Sequence, residues 1–148
     1  MLEQRIFAEA AHAFSRAGEP FLEARALAHG ALAAAVKTEK GYRPSPADIK
    51  EAYGGAADRF HLAAILAPNE RLATRCHTVA GDCFVRADML VEAAKEYEKG
   101  REYEKSAVSY RKAGSFEDAV RIVQGHRSDV QDETATKIIE VSKVQFAR

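Results

Sequence analysis

Cys76 and Cys83, with His77 beside the first, are the side chains of this sequence best suited to hold a metal. Seven residues apart, the two thiols share one helix face. Zinc favours cysteine pairs two to four residues apart on a turn, and it needs a fourth ligand. His126 could supply one only through tertiary contact. The spacing favours two buried thiols that behave as small apolar groups. The five histidines, His12, His29, His61, His77 and His126, are scattered, and none adjoins an acid and a nucleophile in a recognisable catalytic arrangement. The run from Glu92 to Lys105 alternates Glu96, Glu98, Glu102 and Glu104 with Lys95, Lys99, Arg101 and Lys105. Carboxylates interleaved with bases at helical spacing predict a solvated, pair-laced face. An acid–base pair would need apolar surroundings that this stretch lacks. Tyr97, Tyr103 and Tyr110 among basic residues imitate a stacking platform for single-stranded nucleic acid, but their phase points to interior positions. The expected inventory is no catalytic residue, no cofactor-binding residue and no metal ligand.

The elements that carry these residues are helical throughout. Ile6, Phe7, Ala10, Ala13, Phe14 and Ala17 recur at threes and fours. Gly18-Glu19-Pro20 ends that helix, and Pro20 suits the first turn of the next, which runs to about Val36. A loop is expected over 37–46. Ser45, Pro46 and Asp48 then read as an N-cap, a first-turn proline and a capping-box acid. The third helix reaches about Leu66, and Gly54-Gly55 within it marks a close helix crossing or a break. Pro68 opens a fourth, to about Ala87. Three short helices follow near 88–99, 102–113 and 116–125, the last with Ser115 and Asp118 at capping-box spacing. A final helix fills about 130–147. Neither period-two alternation nor a hairpin dipeptide appears, so the chain reads as a single all-α domain, 1–148, of about eight antiparallel helices.

One pattern recurs: a small residue, three spacers, an aromatic, two spacers, a small residue. It occurs as Ala10-Phe14-Ala17, Ala56-Phe60-Ala63, Ala80-Phe84-Ala87, Ala93-Tyr97-Gly100 and Ser106-Tyr110-Ala113. The offsets place all three side chains on one face, where small residues admit a neighbouring backbone and the aromatic fills the gap. Phe14, Phe60, Phe84, Tyr97 and Tyr110 should therefore all be buried between helices. This is the logic of tetratricopeptide-type helical hairpins stacked into an α-solenoid. The signatures at Ala80, Ala93 and Ser106 lie 13 residues apart. A two-helix unit is then about 26 residues rather than roughly 34, and the fold is tetratricopeptide-like rather than regular.

The stretch from Ala93 through Tyr97, Tyr103, Tyr110 and Phe116 to Val120, continued by Val123, His126 and Arg127 and by Ile138, Ile139 and Val141, resembles a known helical region. That region belongs to large fungal proteins that join a UvrD-like helicase to tetratricopeptide-like repeats, relatives of the animal tetratricopeptide-and-ankyrin-repeat protein. Phe7 to Gly18 is similar to the start of the same region. Coatomer, clathrin-adaptor and SNAP-type solenoids carry similar phrases. The resemblance implies a parent with an ATP-driven motor. No phosphate-binding G-x-x-x-x-G-K-[ST] occurs in this sequence, so no helicase residue carries over to it.

Composition narrows the functions further. Twenty-two Lys and Arg balance 22 Asp and Glu, and each half of the chain is separately neutral. That balance weighs against a nucleic-acid or anionic-membrane surface. Alanine, the best helix former, occurs 29 times. Two cysteines make no secreted framework, and the start lacks a basic-then-apolar signal. The longest apolar run, Ala31 to Val36, is too short to span a bilayer. An intracellular, cytoplasmic or nuclear, helical-repeat scaffold for a protein partner is expected. The alternatives are an accessory segment of a UvrD-like helicase and a single-stranded nucleic-acid-binding accessory. Apolar Ala135, Ile138, Ile139, Val141, Val144 and Phe146 cover more than one stripe of the last helix. The chain is accordingly expected to be a segment of a longer solenoid. An exposed C-terminal patch would then be covered by its own parent chain, a partner or self-association.

Overall fold

The computed structural model describes residues 2–146, with side chains through Val144. Eight α-helices follow one another: α1 (Leu2–Arg16), α2 (Pro20–Lys40), α3 (Pro46–Leu66), α4 (Glu70–Arg86), α5 (Leu90–Lys99), α6 (Tyr103–Lys112), α7 (Phe116–Gly125) and α8 (Asp132–Phe146). A 3-10 turn, Arg127–Asp129, precedes the last, and no strand occurs among the described residues. Each helix packs chiefly on its sequence neighbours, with a minor contact of α6 on α8.

Short turns make this sequential packing possible, and four of them share one construction. The residue four positions after a signature aromatic adopts left-handed backbone: Gly18 at φ 71°, Asp88 at 58°, Arg101 at 60° and Gly114 at 82°. The next N–H then donates back to the carbonyl of the aromatic itself. The pairs are Glu19 to Phe14, Met89 to Phe84, Glu102 to Tyr97 and Ser115 to Tyr110, at 2.8 to 3.0 Å. This six-to-one bond satisfies an orphan helix-end carbonyl and reverses the chain within three residues. The recurring unit thus includes the turn as well as the packing face. Phe60 is the exception, because α3 continues past it to Leu66.

Four of the five signature aromatics are buried: Phe60, Phe84, Tyr97 and Tyr110. Phe14 is only half-buried; among the described residues α1 packs chiefly on α2. The small residues do admit close approach. A Cβ built on Gly81 would meet the Tyr97 ring at 2.7 Å. One on Gly100 would stand 2.5 Å from Thr78 Oγ1 and 3.1 Å from the Thr74 carbonyl oxygen.

Several expected boundaries move. Helix α2 runs to Lys40 rather than Val36, and the loop shortens to 41–45. Its last turn is held from outside: Tyr53 Oη and an Arg86 guanidinium nitrogen both donate to Glu39 Oε1, at 2.8 and 2.9 Å. Helix α4 begins at Glu70, not Pro68, because Asn69 caps it by accepting from the Leu72 N–H at 2.9 Å. Ser45 does cap α3, accepting from the Asp48 N–H at 3.0 Å. Ser115 makes no side-chain cap, since its backbone is committed to the turn. Helix α3 passes through Gly54 and Gly55 without a break. No described helix is long and apolar enough to cross a membrane.

Candidate functional site

Helices α3, α4 and α5 are consecutive neighbours, and each turns one polar side chain toward a common point. His61 comes from α3, His77 from α4 and Glu96 from α5. One ligand-type atom from each lies within 4.8 Å of the other two. His77 Nδ1 and Glu96 Oε2 share a hydrogen bond of 2.6 Å. His61 Nδ1 pairs with the other carboxylate oxygen, Glu96 Oε1. The two imidazoles meet edge to face, with centroids 5.7 Å apart.

Glu96 is the centre of the group. Its side chain is 7% exposed, against 14% for His77 and 34% for His61. The cluster is therefore closed on the α4–α5 side and opens to solvent past His61. Burial alone would push the Glu96 carboxyl up. The His77 hydrogen bond, with the charges of His61, His77 and Lys99, outweighs it and holds the carboxyl below its ordinary value.

Glu96 thus departs from the solvated face expected for its charge run. The rest of that run is exposed or half-buried, but its pairs reach across helices. Arg121 on α7 grips Glu98 through two bonds of 3.0 Å, and these lower the Glu98 carboxyl. Arg101 pairs with Glu70 on α4. Lys105 stands 4.0 Å from Asp82 on the same helix.

The sequence joined His77 with Cys76 and Cys83, and the structure separates them. Both thiols are buried and free, but Cys76 packs with Phe21, Ala24 and Ala63, and Cys83 with Phe60, Phe84 and Tyr97. Burial pushes the Cys83 thiol up to about 12, so the free thiol is protonated at neutral pH.

The remaining histidines lie apart from this cluster. His29 lies between Phe7 and Phe60, at centroid distances of 5.9 and 5.1 Å. His126 stacks on Tyr103 at 3.5 Å and 7°. His12 is exposed. Of the three tyrosines considered for base stacking, Tyr97 and Tyr110 are interior and Tyr103 is covered by His126. In α8, Ile138 is buried, Val141 half-buried and Val144 exposed. The side chain of Phe146 falls outside the described residues.

Chemically, two imidazoles and one carboxylate can act as a charge cluster that ties three helices together or as an N₂O ligand set. In comparisons with protein-family models, curated proteins and solved structures, nothing matches this chain.

Proposed function

We propose that this chain is a non-enzymatic, tetratricopeptide-like α-solenoid segment that serves as a scaffold for a protein partner. The observation that supports it is the recurring unit: a packing aromatic between small residues, whose own carbonyl closes the following three-residue turn, at Phe14, Phe84, Tyr97 and Tyr110. Units that pack mainly on their neighbours build extended surfaces rather than enclosed clefts, and such surfaces serve recognition. Leu62, Ile65 and Leu66, at threes and fours on the end of α3, are all exposed and supply apolar contact area.

The test places a photoreactive residue at Ile65 and at other exposed positions on successive helices, irradiates in cells, and identifies the adducts. The expected result is one dominant protein partner. That partner, purified, should bind the chain in isothermal titration and lose affinity for Ile65→Glu. Absence of any adduct along the whole scanned surface, or a partner indifferent to every surface substitution, refutes the scaffold reading.

A further inference from the structure

We propose that His61, His77 and Glu96 form a binding site for a zinc-class divalent transition metal that pins α3, α4 and α5 together. Three observations lead there. The ligand atoms converge from three separate helices to within 4.8 Å. The donor set is two imidazole nitrogens and one carboxylate oxygen, which suits zinc, cobalt, nickel or copper and not the all-oxygen preferences of magnesium and calcium. His61 Nδ1 and His77 Nδ1 face the two oxygens of the same carboxylate, so both imidazoles already present a ring nitrogen to one point.

The geometry needs little adjustment. Ligand atoms about 2.0–2.1 Å from a tetrahedral zinc stand roughly 3.3 Å apart. His77 Nδ1 and Glu96 Oε2 are 2.6 Å apart, so the ion enters as the proton between them leaves to solvent and the two groups part by under about 1 Å. Three protein ligands leave a fourth position, and the cluster opens to solvent past His61, where a water completes the shell. The site does not depend on the scaffold reading, because it rests on three side chains and not on a partner.

The test uses the full-length, tag-free chain stripped with chelator. Zinc chloride and cobalt chloride are titrated by calorimetry and, for cobalt, by visible d–d absorption; magnesium chloride is the control. One equivalent should bind saturably, and zinc at a hundredfold excess over its Kd should raise the melting temperature by roughly 5–10 °C. His61→Ala and Glu96→Gln should each weaken zinc at least about tenfold, while His12→Ala leaves it unchanged. Should Glu96→Gln fail to fold, the more exposed His61→Ala carries the comparison, with its helicity checked by circular dichroism. No saturable zinc binding below ~100 µM overturns the site. So does zinc binding that survives His61→Ala at full affinity, or magnesium binding as tightly as zinc.

Discussion

Gly55 and Gly81 offer the same substitution in two environments, and replacing each with alanine should shift stability in opposite directions. Both lie inside helices, α3 and α4, where alanine is favoured over glycine by about 0.5–1 kcal/mol. At Gly55 a Cβ meets nothing within 4 Å, so Gly55→Ala should stabilise by that amount. At Gly81 the added carbon falls 2.7, 2.8 and 3.1 Å from three carbons of the Tyr97 ring. Carbon atoms rest about 3.5–4.0 Å apart, so the ring must retreat by close to 1 Å. It is not free to do so, being 4% exposed and anchored by its hydroxyl, which donates to Asp82 at 2.5 Å. Overpacking of that kind costs about 1–3 kcal/mol. Less the helix gain, the net loss is up to about 2.5 kcal/mol, and more if the Asp82 bond breaks. Urea unfolding at constant m, checked by thermal scans, would show Gly55→Ala raising Tm by about 1–4 °C and Gly81→Ala lowering it by up to about 10 °C. A Gly81→Ala chain stabilised as much as Gly55→Ala would refute the claim that the small residues exist to admit a neighbouring aromatic.

Other perturbations follow from the same packing. Phe84→Ala empties a buried ring site between helices and should cost about 3–5 kcal/mol by denaturant titration. Asp88→Gly relieves a left-handed backbone at φ 58° and should stabilise by up to about 1 kcal/mol in the same assay. The Cys83 thiol is raised from 9.0 to about 12 by burial, and Tyr97 is raised by burial and its Asp82 bond. Both groups stay protonated in the folded chain while the unfolded chain ionises. Stability is therefore intact below about pH 9 and falls as pH rises toward 12. Thermal scans at pH 7, 9 and 10.5 should show that fall, and Cys83→Ala should flatten part of it.

How far the sequence reveals this structure depends on whether the information is local. Phe60, Phe84, Tyr97 and Tyr110 were legible because small-aromatic-small spacing is a property of one helix. The turns were half legible: Gly18 and Gly114 announce left-handed backbone, whereas Asp88 and Arg101 adopt it with no glycine at the position itself to mark it. The extra turn of α2 depends on Tyr53 and Arg86, far along the chain. The polar cluster was hidden for the same reason, since His61, His77 and Glu96 stand 16 and 19 residues apart, outside any short motif. A usable signal was nevertheless present. Glu96 lies three residues after Ala93 and four before Gly100, on the packing face of α5, and His77 lies three before Ala80 on that of α4. Phase placed both inward, while the charges around Glu96 suggested the opposite.

Helix α5 has two faces that belong to different hydrophobic clusters. Ala93 and Tyr97 pack with α2, α3 and α4, while Ala94 packs with α6, α7 and α8. Among the described residues, no other helix is shared between those clusters. A ten-residue segment is therefore a wall of both clusters, and the approach of Lys105 on α6 to Asp82 on α4 is a second link across it. If α5 frays, both clusters lose a wall at once, so the chain is expected to melt cooperatively despite being assembled neighbour by neighbour. A small rotation of α5 about its own axis moves material out of one cluster and into the other.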